Sequence, residues 1–382
     1  MAERNSPQIR NAQAATERAV AGTRTARAYI NPIVEVYAGD QYARAVSNPG
    51  TPGLLQHYAG YQTIEIPRER SARRRVAEYG GLSSRFAQEA TTRSVVANAK
   101  QAFYTVLRNR EEVEHSEENL KLVESLRHRV QVEVGVGEKG RLELTRAEAE
   151  TAHASFAVRR ARIELANSIA LLRVAIAAPA EANLDPRGAL EPRVQLPPLT
   201  ELRAVVLRSH PAISQSQAKV QQAEVLLERE RALRIPQPTL FTEFENQPDL
   251  RYWRAGVSIP LPLWDRRRGQ IDESKAAISQ SNAELEQRRL QLISATERAY
   301  EQYQLADQQA VSLESGELRA AERAVEGAQA AYRFGERGIV EVLDAQRVLQ
   351  SVRGDLVEAQ FARQTAFTDL EELGAIAPEE RP

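Results

Sequence analysis

The side chains best suited to bind a metal or carry catalysis are few and lie far apart in this sequence. The chain has no cysteine, and its five histidines do not have the spacing of a zinc site: His57, His115, His128, His153 and His210. No glycine-rich phosphate loop or nucleophile elbow is present, and the Gly-Glu-Arg-Gly of residues 335–338 does not follow a strand pattern. The sequence therefore predicts no metal site, no cofactor and no enzymatic activity.

A motif with two glycines occurs twice and defines the organisation of the chain. The first copy is Gly137-Glu138-Lys139-Gly140-Arg141-Leu142-Glu143-Leu144, and the second, 198 residues later, is Gly335-Glu336-Arg337-Gly338-Ile339-Val340-Glu341-Val342. Glycines three apart between long helical patterns predict a tight corner between helices, and we expect the backbone to require all four of them. The recurrence predicts that the chain consists of two tandem structural repeats.

Each predicted repeat contains a helix, two strands, a very long helix, a corner and a further helix. The first repeat is predicted at residues 1–190, with strands at 30–38 and 61–67 and a corner at 135–140. A linker at 191–200 leads to the second repeat at 201–376, with strands at 238–245 and 252–260, a corner at 334–338 and a tail at 377–382. Residues 38–60 are expected to form a surface loop, because the spacing between matching landmarks changes there.

The composition favours long helices over a large globular core. Aromatic residues make up 5% of the chain and the net charge is −1, which gives no indication of nucleic-acid binding. Residues 68–135 and 267–334 keep apolar side chains at three- and four-residue spacing, and each helix could extend about 100 Å at 1.5 Å per residue. Helices of this length must pack against similar helices, so a soluble coiled-coil rod is one interpretation.

No segment of the sequence is apolar for long enough to form a transmembrane helix. The most apolar run, residues 166–180, is shorter than the roughly 20 residues that a bilayer requires, and it contains Arg173. Any membrane role is therefore expected to come through strands. No signal sequence is visible after Met1, so for an exported protein we expect a mature or trimmed chain.

One predicted strand has a distinct apolar face, because Trp253, Ala255 and Val257 alternate with polar or small residues. Aromatic residues gather in or beside the predicted strands: Tyr29, Tyr37, Tyr42, Tyr58, Tyr61, Tyr252, Trp253 and Trp264. Such residues mark the two interfaces of a transmembrane barrel, and we single out Tyr37, Tyr61, Tyr252, Trp253 and Trp264. An ordinary soluble sheet with aromatic pairs is the alternative.

Four strands are too few to close a barrel, so several chains must share one if the strands span a membrane. The smallest filled barrel needs about eight strands. Each unpaired backbone group in lipid costs several kcal/mol, so no edge can stay open. These conditions predict a cyclic homo-oligomer, with about eight strands from two chains or twelve from three.

Two segments of the second repeat resemble the TolC-like outer-membrane efflux protein family. They are the corner with the start of its helix, residues 332–346, and the strand-to-helix segment, residues 257–268. The duplication extends this resemblance over nearly the whole chain. The Arg-Phe-Gly-Glu-Arg-Gly of residues 333–338 is most similar to the heavy-metal cation-efflux (CzcC-type) branch.

The resemblance implies a mixed α and β fold made mainly of long helices. In a homotrimer, these helices form an α-barrel tunnel, and the strands form a shared twelve-stranded antiparallel transmembrane β-barrel. It implies a passive exit duct in the bacterial outer membrane that extends into the periplasm and carries heavy-metal cations. Its expected partners are outer-membrane lipid, a periplasmic membrane-fusion adaptor and an inner-membrane RND pump. The alternatives are a soluble periplasmic coiled-coil scaffold or adaptor, and a water-soluble relative that keeps the fold.

The resemblance also assigns a gate to the start of the helix after the second corner. Glu341 and Asp344 occupy the acidic positions, three apart on one helical face, and Arg337 occupies a basic position in the corner. Carboxylates from three chains around a narrow opening would attract cations and repel anions. Alternatively, acids in a first helical turn simply favour the helix dipole. The first repeat has Arg146 in place of Asp344, and this asymmetry favours a gate.

In the family, both corners lie at periplasmic tips where adaptor hairpins bind. The residues assigned to this contact are Gly137, Glu138, Lys139, Gly140, Gly335, Glu336 and Gly338. Lys139 and Arg337 hold equivalent positions and are expected either to link helices or to be solvated cations near helix ends. The arginines at 68–75 and 266–268 are expected to form salt bridges with neighbouring helices or to contact lipid headgroups.

Overall fold

The structure is a computed structural model that describes residues 2–41, 52–190 and 193–376, most of them in long helices. The helices are α1 (Ala2–Asn5), α2 (Pro7–Arg27), α3 (Pro67–Gly135), α4 (Arg141–Ala175), α5 (Leu199–Ser209), α6 (Pro211–Ala232), α7 (Arg268–Ser312), α8 (Leu318–Arg333) and α9 (Ile339–Glu372). The strands are β1 (Ile33–Gln41), β2 (Gly53–Thr63), β3 (Thr239–Asn246) and β4 (Arg251–Ser258). Tyr42, one of the tyrosines noted beside the predicted strands, lies outside the described residues.

Proline opens several of these helices. Pro7, Pro67 and Pro211 are the first residues of α2, α3 and α6. Proline is favoured at this position because its ring presets φ and its missing N–H would have no helical partner there. From Pro67, α3 continues for 69 residues, close to the helix predicted at 68–135. Among the described helices, none combines the length and the apolar character needed to cross a membrane.

The second long helix contains a π-helical turn, so the prediction of one continuous helix over 267–334 was wrong. α7 ends at Ser312, Leu313–Glu317 form the π-helical turn, and α8 begins at Leu318. A turn of this kind fits one extra residue into an α-helical course. The turn contains Ser315 and Gly316, and a weak helix former such as glycine lowers the preference for regular α-helix.

The chain divides into two compact units that do not follow the predicted repeats. Unit 1 combines Met1–Asn11, Glu89–His210 and Arg289–Pro382, and unit 2 combines Ala12–Gln88 and Pro211–Arg288. Each unit takes residues from both repeats, so a repeat is not a compact domain. The order of elements is the same in both halves, with a helix, two strands, a long helix, a corner and a helix. The duplication itself stays a prediction.

Unit 2 contains a four-stranded antiparallel sheet with the order β1-β2-β3-β4. Val36 pairs with Tyr58, Tyr58 with Phe244, and Phe244 with Trp253. Directly paired residues share a face, so these four side chains form one apolar row across the sheet. Their neighbours along each strand point to the opposite face. In the described part of the chain, the outer edges of β1 and β4 pair with no other strand.

The first two strands lie at different positions from those predicted. β2 covers Gly53–Thr63 rather than 61–67, and β1 covers Ile33–Gln41 rather than 30–38. Much of the loop predicted at 38–60 is therefore strand. Residues 53–60 contain glycines and alternate imperfectly between apolar and polar side chains, so their sequence does not predict a strand. They form a strand because they pair with β1 and β3. β3 and β4 lie within two residues of their predicted positions.

Buried carboxylates and arginines link the elements of unit 2. Glu69 of α3 lies 3.1 Å from Nε of Arg229 and 3.6 Å from Nη1 of Arg73. Arg73 also donates a hydrogen bond to Glu65, and this bond raises the pKa of Arg73. Further pairs join Arg75 to Glu228 and Arg267 to Glu230. Salt bridges thus account for several arginines that follow the strands, and headgroup contact stays a prediction.

The connection between α4 and α5 packs onto the helices of unit 1. It covers the described residues 176–190 and 193–198 without helix or strand, so it is longer than the linker predicted at 191–200. The hydroxyl of Tyr303 donates to the carbonyl of Val194 at 2.6 Å and accepts from its N–H at 2.9 Å. Val194 also packs on the apolar cluster of Tyr303, Ala366 and Phe367. These contacts hold the connection against α7 and α9.

Candidate functional site at the helical corners

Both corners end their first helix with the same hydrogen-bond pattern. In the first corner, the N–H of Gly137 donates to Val134 at 3.2 Å and that of Glu138 donates to Glu133 at 2.9 Å. The second corner has the same bonds, from Gly335 to Tyr332 at 3.1 Å and from Glu336 to Ala331 at 2.9 Å. This Schellman motif needs a left-handed residue, and φ is 83° at Gly137 and 73° at Gly335. Glycine is therefore required at these two positions.

The other two glycines of the repeated motif do not need to be glycine. Gly140 has φ −82° and ψ 151°, and Gly338 has φ −85° and ψ 172°. Both are N-caps of the next helix, in an extended conformation that other residues adopt readily. A Cβ on Gly140 would meet nothing within 4 Å, and one on Gly338 would lie 3.4 Å from Oε2 of Glu341. The prediction that the backbone requires all four glycines was therefore wrong for Gly140 and Gly338.

An apolar cluster in unit 1 joins the two corners. Its buried members are Leu126, Val130, Ala147, Tyr332, Ile339, Val342 and Leu343. The hydroxyl of Tyr332 donates to Oε2 of Glu133 at 2.6 Å. Burial and this bond to a carboxylate raise the pKa of Tyr332. Nζ of Lys139 lies 5.2 Å from the centroid of the Tyr332 ring, so the first corner also contacts α8 through a cation–π interaction.

The two acids predicted at the gate are exposed, and each has a basic neighbour close by in the chain. Oε1 of Glu341 lies 3.9 Å from Nη1 of Arg337, and Oδ1 of Asp344 lies 3.4 Å from Nη1 of Arg347. The side chains of Glu341 and Asp344 are 46% and 62% exposed, so these ion pairs contribute little stability. Their carboxylates therefore remain accessible to ions from solvent.

One contact close to Asp344, between Arg347 and Glu150, was not predicted from the sequence. Arg347 donates to Oε2 of Glu150 in α4 at 2.5 Å, and this bond raises the pKa of Arg347. The spacing of Asp344 and Arg347 signals an ion pair on one helix, but no local pattern connects Arg347 to Glu150. The contact ties α9 to α4 beside the predicted gate. Arg337, in contrast, pairs with Glu341, four residues further along the chain.

The predicted interface aromatics do not share one face of the sheet. The register places Tyr37, Tyr61 and Tyr252 on the face opposite Trp253. That opposite face also carries the charged or titratable side chains Glu35, His57, Glu243, Glu245 and Arg254, and we call it the polar face. Trp264 follows β4 outside the sheet and is exposed. A common position at a membrane interface stays a prediction.

Three metal-ligating side chains converge on the polar face, and sequence reasoning missed them. Nδ1 of His57 lies 3.6 Å from Oε1 of Glu243 and 3.6 Å from Oε2 of Glu245. The pairing of β2 with β3 places His57 directly opposite Glu245. The prediction of no metal site, which rested on the spacing of the histidines, did not anticipate this cluster. The only feature of the local sequence that indicates this cluster is the pair of glutamates two residues apart on β3.

Comparisons with known proteins show which family the chain resembles. Residues 202–374 match the family model described as outer membrane efflux protein. The cobalt-zinc-cadmium resistance protein CzcC of Cupriavidus metallidurans is 25% identical over 298 residues, which cover 76% of this chain and 70% of that protein. The second half of the chain is therefore similar to the outer membrane efflux protein family. The predicted resemblance is thus confirmed.

Solved structures share the fold of this chain. CusC matches with a TM-score of 0.83 at 19% identity, over 97% of this chain and 90% of that one. The CmeC outer membrane channel of Campylobacter jejuni matches with a TM-score of 0.85 at 15% identity, over 100% of this chain and 85% of that one. These likenesses confirm the predicted fold of long helices with a small sheet.

The family match covers the features of the second half of this chain. The matched residues 202–374 include the second corner with Glu341 and Asp344. They also include β3 with Glu243 and Glu245, whereas His57 lies outside them. Proteins of this family are channels rather than enzymes, so the corners and the sheet are the places where function should be sought.

Proposed function

We propose that this protein is the exit duct of a tripartite RND-type efflux system and that it conducts its substrate passively. The observation that carries the proposal is the sheet, with one apolar face and one polar face. The apolar row of Val36, Tyr58, Phe244 and Trp253 is 40–69% exposed in the single chain. A contiguous apolar surface of this kind suits contact with lipid. The chain would thus lie in the bacterial outer membrane and extend into the periplasm.

In this proposal three copies form the duct. The outer strands β1 and β4 have open edges among the described residues, and an open edge in lipid leaves backbone groups unsatisfied. If β1 of one copy pairs with β4 of the next, the backbone groups at both edges form hydrogen bonds. The same contact then repeats around a ring of copies. Three copies give about twelve strands, enough for a membrane barrel. The long helices of the three copies then form the tunnel.

The corners are proposed to dock a periplasmic adaptor, which connects the duct to an inner-membrane RND pump. Exposed apolar side chains flank the residues predicted for this contact, namely Val136 and Leu142 at the first corner and Phe334 at the second. Phe334 is 82% exposed. Exposed apolar side chains at a helical corner can pack against a helical hairpin of a partner.

We further propose that Glu341 and Asp344 of three copies form an acidic ring that gates the tunnel. Both carboxylates are exposed at the start of α9, close to the corner. A ring of carboxylates attracts cations and repels anions at a narrow opening. Arg337, which lies 3.9 Å from Glu341, would tune the charge of the ring.

Heavy-metal cations are the proposed cargo. The relative named for cobalt, zinc and cadmium resistance supports this choice, at 25% identity over 76% of this chain. The acidic positions near the second corner agree with a positively charged cargo. Deleting the protein from its native cell should therefore raise sensitivity to zinc or cadmium salts, and unchanged sensitivity would contradict this cargo.

Particle imaging of the detergent-purified protein tests the duct directly. The expected particle has threefold symmetry, with a barrel at one end and a helical tunnel. The family match does not favour the soluble scaffold, which would give a monodisperse particle without detergent and without a barrel. That result would overturn the proposal.

A further inference from the structure

We infer that the polar face of the sheet holds a binding site for a divalent transition-metal cation, formed by His57 of β2 and by Glu243 and Glu245 of β3. The three ligand atoms lie within 4.8 Å of one another. All three residues belong to unit 2, whereas the proposed gate acids belong to unit 1. The site therefore uses none of the residues of the proposed acidic ring.

The distances suit metal coordination better than direct hydrogen bonding. Nδ1 of His57 is 3.6 Å from the nearer oxygen of each glutamate, which is too long for a hydrogen bond. Nitrogen and oxygen ligands bound at about 2.1 Å to a tetrahedral zinc ion lie about 3.4 Å from each other. Small side-chain movements would therefore bring all three atoms onto one ion.

His57 supplies an independent indication that a ligand belongs here. Its side chain is 5% exposed, and its Nδ1 has no hydrogen-bond partner among the described residues. A buried polar atom without a partner costs about 1–3 kcal/mol. The ring of Tyr37 stacks on the imidazole, with centroids 4.2 Å apart, and holds its plane. A cation at the cluster would give Nδ1 the partner that it lacks among the described residues.

Neighbouring side chains orient the two glutamates and also reduce their affinity for a divalent cation. Arg254 donates to both oxygens of Glu243 at 2.8 Å, and Glu245 accepts hydrogen bonds from Tyr252 and Gln247. Such outer contacts fix the direction of metal-binding carboxylates. The charge of Arg254 opposes a divalent cation, so binding should be weak. Weak binding suits a site along a path, where an ion must both enter and leave.

The ligand set identifies the class of cation. Imidazole favours zinc, copper, nickel and similar ions, whereas sites for magnesium and calcium use oxygen ligands alone. One histidine with two carboxylates therefore favours a transition-metal dication. Use of the site by exported cations rests on the proposed function, but binding itself does not.

Zinc competition tests the site in the full-length protein, purified in detergent without a histidine tag. The wild-type protein should bind one equivalent of zinc per chain, measured by competition with a chromophoric chelator of low zinc affinity. His57→Gln removes one of the three ligands and should weaken this binding by at least about 10–100-fold, which is the loss expected when only an outer partner of a ligand is removed. His153→Gln removes a histidine outside the cluster and should bind like the wild type. A wild-type protein that takes up no zinc, or His57→Gln binding as tightly as the wild type, would overturn the inference.

Arg254→Gln provides a gain-of-binding variant that a misfolded protein could not imitate. Glutamine removes the positive charge that opposes a dication but keeps an N–H donor for Glu243, so zinc should bind more tightly than in the wild type. A purely structural network would lose stability without gaining affinity, and that outcome would count against the site. Particle symmetry, measured on the same samples, separates the two proposals. Zinc binding without a threefold particle would refute the duct alone, and a threefold particle without zinc binding would refute the site alone.

Discussion

Serine substitution at the two glycines of the first corner should have different effects, although the positions are three residues apart. At Gly137, φ is 83°, and the left-handed conformation costs a residue with a Cβ about 1–2 kcal/mol. At Gly140, φ is −82° and a Cβ would meet nothing within 4 Å. Serine is also a good N-cap, so Gly140→Ser should be neutral or stabilise the corner by roughly 0.3 kcal/mol.

Hydrogen exchange at the corner measures this difference directly. The N–H of Glu138 bonds to Glu133 at 2.9 Å as part of the motif that the left-handed Gly137 completes. A loss of 1–2 kcal/mol in Gly137→Ser should speed exchange of the Glu138 amide by about 5–30-fold. Gly140→Ser should leave that rate unchanged or slow it slightly. Equal acceleration by both substitutions would refute the conformational argument.

Three further predictions concern the gate, the corner core and the apolar face. Replacing Glu341 by Gln and Asp344 by Asn together should reduce cation selectivity and alter resting conductance in single-channel recordings; unchanged values would contradict the acidic ring. Tyr332→Phe should lower stability by about 1–2 kcal/mol, because Glu133 loses its hydroxyl donor, and an unchanged Tm would show that this bond contributes nothing. Trp253→Arg should disfavour lipid insertion by about 2–4 kcal/mol, and normal recovery in the outer-membrane fraction would contradict a lipid-facing row.

The corners could be located from the sequence because their signals are local. The motif placed the first corner at 135–140, and the structure has α3 ending at Gly135 and α4 beginning at Arg141. The sequence did not distinguish the glycine that ends a helix, Gly137, from the one that begins the next, Gly140. That distinction depends on which of them takes the left-handed conformation, and both conformations are open to glycine.

The metal-ligand cluster could not be found from the sequence because it depends on strand register. His57 and Glu245 are 188 residues apart and meet only through the pairing of β2 with β3. A shift of one residue in either strand would move its side chains to the other face. The position of β2 itself was mispredicted, so its face could not be assigned. The π-helical turn was missed for a similar reason, since weak helix formers such as Gly316 also occur within regular helices.

The π-helical turn at Leu313–Glu317 sets the rotational phase of the helix that follows it. Each residue advances an α-helix by about 100°, so one additional residue offsets α8 by that angle from an uninterrupted course. The direction in which the buried side chains of Ala321, Val325 and Tyr332 point depends on this rotation. Straightening the turn into regular α-helix at the same chain length would swing Tyr332 away from Glu133, whereas excising one residue together with the turn would keep the direction of Tyr332. The turn thus steers the second corner, whereas the unbroken α3 reaches the first corner without such an adjustment.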